Sequence, residues 1–396
     1  MRLSLESAEW TRREGLKALT DALGAENIRW VGGAIRDSLL GSDVSDVDCA
    51  TVLLPDDVME RCRLVGIRTV PTGIEHGTVT AILKGGPVEI TTLRRDVATD
   101  GRRATVAFAE KWEEDAARRD FTINALYAHP ETLEISDYFG GMDDLAARRV
   151  RFIGDARERI REDHLRILRY FRFQARFGAE LDREAEEACA ELAPTLKGLS
   201  RERIAAELAA LLSLPDPYAT VARMRQLGVL QVVLPEASPH QVELLGQVVA
   251  AECQQGFAPE PMRRMAALLP PMVEVAETVS ARLRLSRAQR GHLVAVAARE
   301  PGDCDKPQAL AYREGSAVAI DRLLLQGADA SPLRHWDIPQ FPLKGGEIVA
   351  RGVSAGPQVA RTLRRVEQHW IDEGFPSRTR VLELLDRELS GQGDPA

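Results

Sequence analysis

A change of hydrophobic period near residue 140 constrains this chain more than any single residue does. Before it, short runs rich in Val, Ile and Thr alternate with helical stretches; after it, apolar residues recur at helical spacing almost throughout. The strand candidates are 28–31, 47–52, 67–70, 78–83, 88–93, 105–108, 123–128 and 133–135, with helices expected at 5–23, 34–40 and 55–63. Helical runs then follow at 156–177, 182–194, 200–213, 217–227, 238–252, 261–285, 287–299, 306–327 and 357–372. Prolines at Pro259, Pro261, Pro270, Pro271 and Pro332 punctuate them. The expected class is α+β: a head with a small mixed sheet, followed by an all-α remainder. A chain of 396 residues exceeds what one core usually holds, roughly 250 to 300 residues, so at least two cores are expected.

The chain contains no run of about 18 apolar residues, and its first residues are charged, so the expectation is a cytoplasmic protein with no membrane partner. Its five cysteines are scattered, with no C-x-x-C pair, which argues against a disulfide framework or a zinc site. A net charge of -8 speaks against nucleic acid as a partner, but its distribution speaks the other way. Between residues 148 and 176 ten arginines face four acids, a candidate basic surface that ordinary solvated helix faces would also produce.

The chemistry concentrates in Trp30-Val31-Gly32-Gly33-Ala34-Ile35-Arg36-Asp37, followed by Asp46-Val47-Asp48. Glycines between a strand and a helix let backbone amides approach a phosphate. Residues two apart on a strand project to the same side, so Asp46 and Asp48 can share divalent cations, with magnesium the expected one because it takes carboxylates together with substrate phosphates. Glu89, in Val88-Glu89-Ile90, is a candidate third carboxylate. On its own, D-x-D is also what a solvated edge strand produces. The P-loop pattern and G-x-G-x-x-G are both absent, which disfavours ordinary ATPases and dinucleotide enzymes.

These residues resemble the head domain of class II transfer-RNA nucleotidyltransferases and bacterial poly(A) polymerases. Later motifs follow in that family's order: Glu75-His76-Gly77-Thr78, Val88-Glu89-Ile90-Thr91-Thr92-Leu93-Arg94, a loop at Asp100-Gly101-Arg102-Arg103, Arg118-Arg119-Asp120-Phe121-Thr122-Ile123-Asn124, Arg161-Glu162-Asp163-His164-Leu165-Arg166 and Leu199-Ser200-Arg201-Glu202-Arg203-Ile204. The resemblance spans roughly residues 28 to 230. It implies a polymerase-β-like catalytic head at 1–140, a helical neck and body at 141–230 that reads the base and binds RNA, and a body and tail at 231–396 that hold transfer RNA. It also assigns Asp46 and Asp48 to catalysis and metal binding, and Gly32, Gly33 and Arg36 to the nucleotide.

Arg119, Asp120 and Asn124 supply a fork of donors, a carboxylate and an amide, which suits a ribose and its 2'-hydroxyl; a helix-start cap with a surface ion pair would use the same residue types. Asp163 and Arg166 stand three apart in the expected helix 156–177 and so share one face. An aspartate accepts from the exocyclic amine of cytosine or adenine and an arginine donates to a ring acceptor, whereas uracil and guanine present a carbonyl where the amine should be. An ordinary i, i+3 ion pair is the alternative for these two. Arg169 is expected to assist the same pocket.

The function expected from this reading is addition of C, C and A to transfer RNA from CTP and ATP without a nucleic-acid template. A poly(A) polymerase, a CC-only or A-only enzyme and a non-catalytic RNA-binding protein remain as alternatives. The presence of the loop near Asp100 disfavours a CC-only enzyme, and Glu75-His76-Gly77-Thr78 favours the CCA-adding form. Gly352-Val353-Ser354-Ala355-Gly356 matches G-x-S-x-G but lies among expected helices, so a serine hydrolase is disfavoured. Monomer and homodimer are both compatible with the sequence.

Overall fold

The computed structural model describes residues 5–44, 46–100 and 103–391, with the backbone alone at 96–100 and 103–107. Two compact units result, Met1–Pro235 and Glu236–Ala396. Among the described residues no helix is long and apolar enough to cross a membrane.

The first unit is built on a seven-stranded sheet with strand order β3-β4-β5-β2-β1-β8-β9. Its strands are β1 (Ile28–Val31), β2 (Val47–Thr51), β3 (Arg68–Gly73), β4 (Thr78–Leu83), β5 (Gly86–Thr92), β8 (Leu126–Ala128) and β9 (Ile135–Asp137). β2 runs parallel to β5 and antiparallel to β1, so the sheet is mixed, as the alternating β-type and helical runs lead one to expect. A separate hairpin joins β6 (Arg94–Asp100) to β7 (Arg103–Phe108), where only the second strand was expected and the first was read as loop. Gly101 and Arg102 of that loop motif, like Ser45 before the carboxylate strand, lie outside the described residues.

Helices α1 (Leu16–Leu23), α2 (Gly33–Leu39), α3 (Pro55–Leu64), α4 (Trp112–Ala117) and α5 (Gly141–Ala146) accompany the sheet. The rest of this unit is helical: α6 (Ala156–Glu162), α7 (Arg166–Phe177), α8 (Arg183–Leu192), α9 (Arg201–Leu212), α10 (Tyr218–Gln226) and α11 (Val229–Val233). One expectation fails here. The run 156–177 is two helices, because Asp163 adopts an extended conformation (φ -145°, ψ 104°) and its side chain accepts the Leu165 amide at 3.1 Å, a local bond that replaces the helical ladder. Asp163 and Arg166 therefore do not share a helix face. Likewise 123–128 begins as a 3-10 turn, Thr122–Asn124, before β8.

Aromatic packing joins the sheet to α7. Phe121, fully buried, lies 4.9 Å from Phe152 and 5.3 Å from Phe173, and Tyr170 stacks on Phe152 at 5.9 Å. Such pairs add roughly 0.5 to 1.5 kcal/mol each beyond burial of their area. The backbone follows suit, with Phe121 bridged to Phe152 and the Ile153 amide bonded to the Asp120 carbonyl at 3.2 Å.

The second unit contains α12 (Pro239–Gln255), α13 (Pro261–Ala267), α14 (Val273–Arg282), α15 (Arg287–Ala297), α16 (Pro307–Glu314), α17 (Ser316–Leu325), α18 (Gly345–Val349), α19 (Pro357–Asp372) and α20 (Arg378–Leu389). The expected helix 261–285 is interrupted at Pro270-Pro271, and 306–327 at Gly315, whose φ of 88° no right-handed helix accepts. Gly352–Gly356 connects α18 to α19 with no strand before it, so Ser354 is not on a nucleophile elbow. At the centre lies a buried charge network: Arg263 donates to Glu252 and Asp321, both at 2.7 Å, and Arg264 donates to Glu252 at 2.9 Å. His292 lies 2.7 Å from Asp321, and that hydrogen bond holds its pKa above the ordinary histidine value against the effect of burial.

Two predictions follow from packing and charge. A Cβ on Gly141 would lie 2.3 Å from the Thr122 carbonyl oxygen, a backbone atom that cannot swing aside. Gly141→Ala is therefore expected to lower stability by about 2 kcal/mol or more, measured by urea unfolding; an unchanged midpoint would contradict this packing. Because the pKa of His292 is raised on folding, its stabilising contribution is full below about pH 6.5 and is lost as pH rises through the folded value. Thermal unfolding of His292→Gln should accordingly depend less on pH above that point than the parent; parallel profiles would count against it.

Candidate active site

The turn from β1 into α2 is made by Gly32, at φ 70° and ψ -123°, a conformation reserved for glycine. A Cβ there would also point at Arg119 Nη1, 3.4 Å away. Next to this turn, on β2, Asp48 is registered against Val31 of β1 and Glu89 of β5. Residues opposite each other in register project to the same face, so Asp48 and Glu89 are neighbours by construction. Burial, then the neighbouring charges of Glu89 and Asp46, push the Asp48 carboxyl above the usual aspartate range, while Arg119 opposes the shift. Glu89 and Asp46 thus both act electrostatically on Asp48.

A cavity of about 340 Å³ opens beside this strand end, lined by Gly32, Gly33, Arg36, Asp48, Arg118, Arg119, Asp120, Asn124, Asp163, Arg166, Arg169 and Phe173. Every residue expected to bind nucleotide from the sequence lies on its wall. Asp46 is exposed and Glu89 is exposed, and neither belongs to that lining.

Hydrogen bonds connect the lining residues to one another. Asp120, buried, accepts from the Phe121 amide at 2.8 Å, from Asn124 Nδ2 at 2.9 Å and from Arg169 Nε at 2.8 Å. Although burial works against its charge, Arg169 and these donors hold its carboxyl below the usual range. Asn124 Oδ1 in turn accepts from Arg36 Nη1. Arg36 also donates to Asp37 at 2.8 Å and lies over the rings of both Phe173 (5.1 Å) and Phe177 (4.6 Å); desolvation by burial lowers its pKa. Arg176 completes the tie from α7 to α2 through Asp37 at 3.2 Å. Asp120, Asn124 and Arg36 thus form a buried network rather than a surface cap.

Asp163 and Arg166 both face the cavity but do not pair with each other. Asp163 Oδ2 accepts from Arg203 Nη2 at 2.7 Å; Arg166 donates to Glu162 at 2.6 Å and to the Arg159 and Arg118 carbonyls at 2.9 and 3.0 Å. The i, i+3 ion pair is therefore absent. Glu207 of α9 accepts from Arg172 at 2.7 Å and lies 3.7 Å from Arg169.

Sequence reading did not single out Asp115 or Tyr127. Asp115 on α4 is 1 % exposed and accepts from Arg118 Nε (2.7 Å), Tyr127 OH (2.6 Å), Arg119 Nη2 (3.3 Å) and the Arg94 amide (3.2 Å). The signal was present as Asp115-x-x-Arg118-Arg119, a helical i, i+3 and i, i+4 pattern. It was obscured by Glu113 and Glu114, which make the segment read as a solvated face.

The donor set near Asp48 is all oxygen. Among the described residues no group of three or more His, Cys, Asp and Glu side chains converges to hold a metal alone. Asp46 and Asp48 are oxygen donors of the hard kind that divalent cations take together with phosphate oxygens and water.

Residues 28–151 match the family described as the Poly A polymerase head domain, and residues 178–240 the family described as the probable RNA and SrmB-binding site of polymerase A. The CCA tRNA nucleotidyltransferase 1, mitochondrial, of Mus musculus is 35% identical over 396 residues, covering 94% of this chain and 90% of the relative. A CCA-adding enzyme of Streptococcus pneumoniae is 32% identical over 376 residues, covering 91% and 92%. The solved Bacillus stearothermophilus CCA-adding enzyme in complex with CTP superposes with a TM-score of 0.76 at 26% identity, covering 96% of this chain and 98% of that one. With such likeness along nearly its whole length, this chain belongs to the CCA tRNA nucleotidyltransferase family, whose head domain is shared with poly(A) polymerases.

Proposed function

We propose that this enzyme adds C, C and A in order to the 3' end of transfer RNA, taking CTP and ATP and using its own side chains as the template. The observation that carries this reading is that Asp48 of the strand pair and Asp163 and Arg166 of the neck line one cavity of about 340 Å³. One nucleotide could then present its phosphates to the first and its base to the others.

The terminal 3'-hydroxyl of transfer RNA attacks the α-phosphorus, losing its proton to solvent water and forming a phosphodiester, while the bond from the α-phosphorus to the bridging oxygen breaks and pyrophosphate leaves with the electron pair. Asp46 and Asp48 would hold magnesium, which when bound favours ionisation of the attacking hydroxyl and offsets charge on the departing oxygen. Arg119 brings positive charge to the phosphate side of the cavity, and the Gly32–Gly33 turn leaves the backbone open to close approach. The ribose is met by Arg119, Asp120 and Asn124, pre-oriented by their mutual bonds.

Base choice follows from donor chemistry. Each oxygen of the Asp163 carboxylate has a protein donor, Leu165 N on one and Arg203 on the other, and each keeps a second acceptor position. An amine at cytosine N4 or adenine N6 satisfies it; a carbonyl of uracil or guanine leaves acceptor facing acceptor, at roughly 1 to 3 kcal/mol.

Incubated with magnesium, labelled CTP and ATP, and transfer RNA lacking its terminal CCA, the protein should make three additions and stop. Continued A addition would instead identify a poly(A) polymerase, and arrest after C, C or refusal of CTP a partial enzyme. Asp46→Ala with Asp48→Ala should abolish incorporation; full activity in that variant would revive a non-catalytic reading of the head. Asp163→Asn, which can donate as well as accept, should raise UTP use relative to CTP by about tenfold in single-nucleotide assays. Unaltered discrimination would remove Asp163 from base reading.

A further inference from the structure

We propose that Asp115 is a positioning residue for nucleotide binding, a clasp that sets the two cavity arginines Arg118 and Arg119 and ties them to the root of the β6–β7 hairpin. The proposal rests on the reading above that this cavity receives CTP and ATP.

Asp115 does not line the cavity, yet each of its side-chain contacts leads to it or to the hairpin. Its Oδ1 takes Arg118 Nε at 2.7 Å and the Arg94 amide at 3.2 Å; its Oδ2 takes Tyr127 OH at 2.6 Å and Arg119 Nη2 at 3.3 Å. Tyr127 OH accepts in turn from Arg119 Nε at 2.9 Å, so Asp115 and Tyr127 together hold the Nε–Nη2 edge of that guanidinium, while Nη1 donates to the carbonyl of Asn124, another cavity-lining residue, at 3.4 Å. Arg118 carries the effect towards the base, because its carbonyl accepts from Arg166 Nη2 at 3.0 Å. Arg94 opens β6, and the hairpin is closed at that root by the Ala109 amide bonding the Leu93 carbonyl at 2.8 Å.

A carboxylate accepts at all of these positions at once. An amide of the same shape cannot: one of its two heads is a donor and would face donors from Arg118 and Arg94, or from Arg119 and Tyr127. Asp115→Asn therefore loosens the arginines without removing packing volume. Tyr127→Phe removes one link of the clasp and leaves the ring in place.

The test is steady-state kinetics with CTP and ATP on transfer RNA lacking CCA, together with calorimetric titration of CTP without RNA. Asp115→Asn is expected to raise KM for both nucleotides and weaken CTP binding by about tenfold, with kcat within about threefold of the parent. Because the effect passes through Arg118 and Arg119, adding Asp115→Asn to a variant carrying Arg118→Gln and Arg119→Gln should cost no more than about twofold further. Tyr127→Phe should raise KM severalfold, and not at all in the Arg119→Gln background. Lower thermal stability with unchanged KM, or an effect of Asp115→Asn that persists in full when Arg118→Gln and Arg119→Gln are already present, would overturn the proposal; should Asp115→Asn not fold, an unchanged KM in Tyr127→Phe does so. A parent protein that incorporates neither nucleotide would instead refute the catalytic reading, and the CTP titration would still decide on the clasp.

Discussion

Buried carboxylates paired to arginines are the constraint around which the candidate site is arranged. Asp115 and Asp120 are both buried, the second on the wall of a polar cavity and the first away from its lining, where an uncompensated carboxylate would be costly. Each is satisfied by guanidinium groups that the cavity uses, Arg118 and Arg119 for the first, Arg169 for the second. The same bonds that make burial tolerable aim the cations. Breaking either pair would leave a charge stranded, so the site's geometry and its local stability are the same property.

What holds these pairs in place is apolar. Phe121 follows Asp120 directly and is locked among Phe152, Tyr170 and Phe173, while Arg169 precedes Tyr170. A ring cluster thus fixes the separation of Asp120 and Arg169, and the Phe173–Phe177 face of α7 clamps Arg36 from the other side. Sheet register does the corresponding work for the acids: Asp48 and Glu89 stand side by side because β2 and β5 pair in parallel at that step.

The head was legible because its signals are local. Val-, Ile- and Thr-rich runs bounded by glycine give β1, β2, β4 and β5 within two residues, and the Gly32–Gly33 turn with Asp46-Val47-Asp48 marks the site before any fold is known. Helix continuity was less legible. Apolar spacing runs through Ile160, Leu165 and Leu168 without interruption, so periodicity does not register that the Asp163 side chain captures the Leu165 amide and ends the helix. The break at Gly315 is of the same kind, since a lone glycine in a helical pattern is usually tolerated. α20 was missed although Val381, Leu384 and Leu385 are buried, because charged residues surround them. Side-chain partners were the least legible of all: that Asp163 pairs with Arg203 depends on how α9 packs beside the junction of α6 and α7, which no spacing within one helix encodes.

If one cavity both reads the base and receives the phosphates, cytidine and adenosine nucleotides must use it in turn. Equilibrium titration of CTP, repeated in the presence of saturating ATP, addresses this most directly. One nucleotide should bind per chain, with ATP displacing CTP competitively; two nucleotides bound together, each indifferent to the other, are incompatible with a shared cavity.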